Sequence, residues 1–268
     1  MAQTQALSES VLASSKEYNK YINKVNYLLL ILAIVSIYTV GTSLYIASSM
    51  VVLLQLAIWY MLLESEKKKV IGQTLIRHDL IEKGFDEKFP AKLSYLKSQL
   101  TDSESDSAKY LERDDYYAIP ADTDKRFLSM LKESCFWTTN LYQNCYQEEK
   151  SRVVFMSLLF LILLMSVAFI DLQPDENFSL QRTFMVIIGT FPLWQSIKDS
   201  LKFDTAKDKL KAIDSELEAE SKSISELLML FSEYSVITSS TPLIPDELYV
   251  KHKDRIQENW DVRIANTD

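Results

Sequence analysis

The run VNYLLLILAIVSIYTVGTSLYIASSMVVLLQLAIWYMLL (residues 25–63) decides how this chain folds. It contains no Asp, Glu, Lys or Arg. As one α-helix it would be about 58 Å long, nearly twice the roughly 30 Å hydrocarbon core of a bilayer. Two crossings joined by a tight turn fit that thickness. The turn belongs near Gly41-Thr42-Ser43, or slightly later at Ser48-Ser49. A cleaved signal peptide is the competing account, but its apolar region spans only about 7–15 residues, so the run is too long for one.

Two further apolar blocks lie downstream. Residues 153–170, VVFMSLLFLILLMSVAFI, form an uncharged span of bilayer length. Residues 183–198 are shorter and carry Pro192. Arg182 and Lys198 could snorkel to either surface and extend this segment to full depth; a re-entrant or interfacial helix is the alternative. Lys16, Lys20 and Lys24 precede the first crossing, and Lys67, Lys68 and Lys69 follow the second. Lys150 and Arg152 precede the third, and Lys198 and Lys202 follow the fourth. The turn in the first pair has no basic residue, and the external turn at 171–182 has three acids and one Arg. The positive-inside rule therefore puts both termini and the central segment in the cytoplasm.

The expected fold is an all-α membrane protein with four transmembrane helices. Its helical cytoplasmic domain is discontinuous, built from helix extensions. A cytoplasmic N-terminal segment (1–24) leads into the hairpin (25–63). A cytoplasmic helical domain (64–152) separates the hairpin from the third span (153–170). The external turn (171–182), fourth span (183–198) and cytoplasmic C-terminal helical region (199–268) complete the chain.

Over its whole length the chain looks soluble, with 47% hydrophobic and 25% charged residues, but the two populations are segregated. The formal net charge of -8 argues against a nucleic acid polymer as partner, because phosphate binding needs clustered Lys and Arg. Cys135 and Cys145 lie ten residues apart on one expected helix, roughly 15 Å along its axis, too far for a disulfide. With only His78 and His252 besides, a His/Cys metal site has almost no ligands.

In the cytoplasmic parts, Val70, Ile71, Leu75, Ile76, Leu80 and Ile81 follow helical spacing, with Gly84 as the expected stop. The TDSESDS stretch (101–107) reads as a surface loop, and Pro120 marks a turn. A long helix is expected from Asp124, carrying Phe127, Leu128, Leu131, Cys135, Thr138, Leu141, Tyr142 and Cys145 into the third span. Phe203, Ala206, Leu210, Ile213, Leu217, Ile224, Leu227, Phe231 and Tyr234 sit at heptad a and d positions, interrupted only by Glu220. That stripe serves either an intramolecular bundle or an intermolecular coiled coil.

No P-loop, GxSxG, HExxH or paired CxxC is present, so no enzymatic activity, cofactor or metal is expected. His78, in RHDL, is read as lying on a solvated helix face, and Asp114-Asp115 as a solvated turn. The densest aromatic composition lies at Tyr116-Tyr117 beside Arg113 and in the helix around Phe136, Trp137, Tyr142 and Tyr146. Aromatic rings next to Arg and Asn can stack on and hydrogen-bond a nucleobase, or simply fill a helical core. Arg113, Tyr117, Arg126, Trp137 and Asn140 are the ligand candidates. Within the spans, Thr39, Thr42, Gln55, Ser157, Gly189 and Thr190 are candidates for pore lining or for close helix contact. Lys198 at the end of the fourth span apart, the spans contain no charged residue, which leaves proton relays and voltage sensing without machinery.

RDDYYAIP, KRFLSMLKESCFWTTNLYQNCYQ before the third span and LIPDELYVKHKDRIQENW in the tail, together with the N-terminal hairpin and long cytosolic insertion, resemble one family. It is that of the SMODS-associating four-transmembrane effectors of bacterial nucleotide-signalled antiphage defence. The resemblance implies an inner-membrane protein, with a cyclic oligonucleotide triggering damage to the bilayer. The expected function is thus a non-enzymatic, nucleotide-gated effector acting as a pore-like homo-oligomer. A membrane-anchored scaffold or sensor, recruiting a protein partner through its cytoplasmic helices, is the alternative.

Overall fold

A computed structural model describes residues 2–38, 42–101, 104, 123–170, 187, 189, 191–219 and 222–266. Among these residues there are seven helices and no strand. They are α1 (Ala2–Tyr38), α2 (Thr42–Phe85), α3 (Pro90–Ser98), α4 (Thr123–Ile170), α5 (Phe191–Glu218), α6 (Ile224–Ser240) and α7 (Asp246–Ala265). The uncharged 25–63 run is divided between α1 and α2, and residues 39–41, where the earlier of the two expected turns begins, lie outside the described residues. The chain forms two compact units: residues 1–16, 66–146 and 201–268 make one, and residues 17–65 and 147–200 make the other.

The first unit, which holds most of the charged residues, has two apolar clusters. In the larger, Phe127, Met130, Leu131, Cys135, Tyr142 and Cys145 of α4 meet the 203, 206, 210, 213 and 217 stripe of α5. Leu227, Leu230, Phe231 and Tyr234 of α6 and Leu80 of α2 close it. Burying a side chain such as Leu210 or Leu217 fully is worth about 1.5–3 kcal/mol, so this stripe is a main source of stability. In the smaller cluster Ala6, Leu7 and Val11 of α1 pack with Leu75 of α2 and Leu96 of α3.

The heptad stripe does not run through one helix. α5 ends at Glu218 and α6 starts afresh at Ile224. Ser223 caps it: the Glu226 amide donates to the Ser223 hydroxyl, and the Glu226 carboxylate accepts from the Ser223 amide. This reciprocal arrangement satisfies donors that a helix start leaves open, so a break here is locally stable. The α5 half of the stripe is buried within its own unit and is therefore intramolecular.

Three other expectations change. Gly84 stays helical, and α2 ends one residue later, where Asp86 adopts a left-handed φ of 54°. Of the expected apolar stripe on α2, Leu75 and Leu80 are buried but Val70 and Ile76 are exposed. Glu104, inside the expected surface loop, is buried; Lys68 pairs with its carboxylate. The Thr101 amide and hydroxyl also donate to that carboxylate, at 3.0 and 2.8 Å, and Ser10 donates to the Glu104 carbonyl. A carboxylate met by a cation and two donors can leave water.

In the second unit Ile22 and Leu29 of α1 pack against Val51 and Ile58 of α2, with Val25, Leu32, Ala47, Leu54, Met61 and Leu62 around them. The remaining faces are apolar and open: Leu53, Leu56, Trp59 and Tyr60 of α2 and Phe155, Leu158, Leu161 and Ile162 of α4 are exposed. One helix among the described residues, Tyr45–Phe85, is long and apolar enough to cross a membrane.

Candidate functional site

α2 enters the first unit carrying four consecutive-turn polar residues on its inner side, and burial there overturns the solvated reading of RHDL. His78 is 6% exposed, as is Asp79, and Glu82 and Lys83 are equally withdrawn. Lys83 pairs with Asp79 at 3.0 Å and donates to the Gln5 side chain at 3.1 Å. Glu82 accepts from the Phe89 amide at 2.9 Å, holding the chain that leads into α3. His78 stands edge-on to the Phe89 ring, 3.5 Å from Glu82, with neither ring nitrogen hydrogen-bonded. The residues are inside because α1 and α3 pack over this stretch of α2; helical spacing alone does not disclose that cover.

Beside this cluster lies a cavity of about 530 Å³. Its acidic wall is Glu9, Asp79, Glu133 and Asp246, and Lys16 is the cation among the lining residues. Lys16 is engaged by Asp246 at 2.5 Å. Trp137, Tyr234 and Tyr249 supply aromatic surface, with the Trp137 and Tyr249 rings 6.4 Å apart. Leu12, Ile76 and Leu141 add apolar wall. Asp79 Oδ1 is buried without a hydrogen-bond partner, its sister oxygen being taken by Lys83. Burial pushes the Asp79 carboxyl above its ordinary range, partly offset by Lys83. Burial, aided by the Asp261 charge, pushes Glu133 up to about 7.

A second cavity of about 180 Å³ shares Leu12, Lys16, Ile76, Thr138 and Tyr234 with the first and is lined also by Arg77 and Gln73. Arg77 Nη2 is buried without a hydrogen-bond partner, and desolvation holds its guanidinium below the usual value. Tyr234 stands where the two cavities meet, its hydroxyl 3.1 Å from Thr138 Oγ1.

Of the ligand candidates, Trp137 lines the larger cavity. Arg126 and Asn140 are half-buried on α4 and line neither cavity. The Asn140 amide donates to the Phe136 carbonyl, a local bond along the helix. Arg113 and Tyr117 lie outside the described residues, as do Asp114, Asp115, Tyr116 and Pro120. Most of the aromatic stretch is core: Tyr142 is buried against Phe203, and Phe136 packs on Trp260 at 5.2 Å. Arg263 lies over both of those last rings while bonded to Asp214 and Glu218.

In the second unit Gly189 is buried, and a Cβ there would lie 2.6 Å from the Ala33 Cβ, so it serves close helix approach. Gln55 is half-buried with its Nε2 unpartnered, and Ser157 is exposed. Thr42 is the first residue of α2, with its side chain outside the described atoms; Thr39 and Thr190 lie outside the described residues.

Asp79, Glu133, Tyr249, Arg77 and Lys16 are cavity residues that the linear reading did not select. They come from four different helices, and the only local hint is the pairing of Asp79 with Lys83 one turn on. Among the described residues no three His, Cys, Asp or Glu side chains converge to hold a metal ion. Comparison of the chain with known protein families, with curated proteins and with solved structures gives no match in any of the three.

Proposed function

We propose that this protein is a non-enzymatic membrane effector of bacterial antiphage defence. In this reading a nucleotide second messenger acts at the charged helical unit and the protein disrupts the inner membrane as a pore-like oligomer. The observation that carries it is the division of labour between the two units. One is walled by exposed apolar side chains and holds residues 45–65 of the helix that is long and apolar enough to cross a bilayer. The other has its own core and two adjoining cavities. The sequence resemblance supplies the biological setting.

Four crossings, at 25–63 taken twice, 153–170 and 183–198, follow from hydropathy and flanking charge. The outward Val154, Phe155, Leu158, Leu161, Ile162 and Met165 support the third, and the close approach of Gly189 to Ala33 supports packing of the fourth on the first. An oligomer is required because four apolar helices cannot by themselves enclose a wide aqueous path. An anionic ligand group finds support in Arg77 Nη2 and Lys16 beside the smaller cavity, where a phosphate oxygen would complete the guanidinium. The scaffold alternative loses its main motivation, since the α5 part of the heptad stripe is consumed in the core.

The test is membrane potential and dye entry in cells expressing the protein, with and without a co-expressed cyclic-nucleotide synthase. Rapid depolarisation only with the synthase is the expected result. A potential that holds while nucleotide accumulates sinks the gated-effector reading.

A further inference from the structure

We propose that Tyr21, Tyr27, Trp59, Tyr60 and Trp194 form an aromatic belt that seats the second unit at the headgroup level of a phospholipid bilayer. The belt rests on the membrane-effector reading and adds to it the depth at which the unit is held.

Three observations set the partner. The first is exposure. The five rings are between 50% (Tyr21) and 67% (Trp194) exposed, so none of them fills a core. Each joins an apolar ring to an N–H or O–H, a combination that suits the boundary between lipid chains and water. The second is position. All five lie in one compact unit, on α1, α2 and α5. Tyr21 and Tyr27 flank the start of the uncharged 25–63 run, and Trp59 and Tyr60 fall within four residues of its end. α1 and α2 pack together through Ile22, Leu29, Val51 and Ile58, which brings the start and the end of that run to the same level. The approach of Gly189 to Ala33 sets the level of the fourth ring-bearing stretch: Trp194 is five residues beyond Gly189, and Tyr27 is six residues before Ala33. The third is contrast. One or two turns deeper, the exposed Ile31, Val35, Leu53 and Leu56 carry no polar atom.

Charge does not hold this level. Residues 17–24, 64–65, 147–152 and 198–200, at the same end of the unit, contain five basic and five acidic residues. These cancel by count, whereas attraction to anionic lipid depends on a basic excess near the surface. The contact is therefore made by the rings, to the glycerol and carbonyl region that every phospholipid presents.

The experiment is tryptophan fluorescence of the full-length protein reconstituted in phosphatidylcholine liposomes. Lipid brominated near the glycerol end or near the methyl end of its acyl chains serves as the shallow or the deep quencher, and iodide as the aqueous one. Stronger quenching by the shallow bromines is expected. It should fall in Trp59→Phe and in Trp194→Phe, and drop in the double variant to the residual level of Trp137 and Trp260. Both replaced rings are exposed, so the variants lose little stability. The same pattern is expected when phosphatidylglycerol is mixed in. The belt is overturned by stronger quenching from the deep bromines, by shallow quenching that persists undiminished in the double variant, or by shallow quenching that appears only with phosphatidylglycerol. In those three outcomes the protein is still in the bilayer, and the membrane reading stands. Quenching by iodide alone removes both.

Discussion

Asp79 and Lys83 face each other one turn apart on α2, carboxylate oxygen to ammonium 3.0 Å, with side chains only 8% and 6% exposed. Each is the other's counter-ion in a place with little water. Removing one partner of such a pair leaves a buried charge uncompensated, at a cost of about 3–5 kcal/mol. Lys83→Met is therefore expected to lower the unfolding free energy of the protein in detergent by about that amount. The double variant Asp79→Asn/Lys83→Met should recover a large part of the loss. A double variant no better than the single one would show that the two residues are not coupled.

Gly84 touches the most enclosed ring of the core. A Cβ added there would lie 2.5 Å from Phe127 Cδ2. Phe127 is fully buried, with Phe85 at 4.6 Å and Phe231 at 5.7 Å between ring centroids, so it has little room to retreat. Helix propensity favours Ala over Gly by about 1 kcal/mol, while overpacking costs about 1–3 kcal/mol. Thermal unfolding of Gly84→Ala should show net destabilisation; a stabilised variant would mean that the ring moves freely.

Glu133 ties stability to pH. Its carboxyl is raised to about 7 in the folded chain from 4.5, mainly by burial and then by the Asp261 charge. Between those values the folded state holds a proton that the unfolded state has lost. Stability from this group therefore falls as pH rises from about 4.5 to about 7, and is flat outside that window. Glu133→Gln, which cannot ionise, should flatten the corresponding part of a stability profile measured by denaturant unfolding at successive pH values.

Both native thiols are buried, and Cys135 is pushed up to about 12 by burial and by the Asp214 charge. Since the thiolate is the reactive form, neither cysteine should be labelled by a maleimide at pH 7 until the protein is unfolded in SDS. Rapid labelling of the folded protein would place one of them at the surface instead.

The uncharged run at 25–63 by itself pointed to two helices rather than one, because a single helix of that length is nearly twice as long as a bilayer core is thick, and α1 and α2 do pack on each other along it. The periodic apolar residues of α4 and α5 likewise announced the core, since helix packing reads a 3.6-residue spacing directly. The break at Ser223 was present as a capping box, Ser223 with Glu226, but the heptad pattern ran over it. His78 and Glu104 were hidden for a different reason: local composition reports polarity, whereas exposure depends on which distant helix lies on top. Only the tertiary structure brought Asp79, Glu133 and Trp137 to one cavity. They lie on separate helices or turns, 54 residues apart between the two acids. A site assembled across such distances leaves no periodic trace, because each of its residues satisfies only its own helix in the linear pattern.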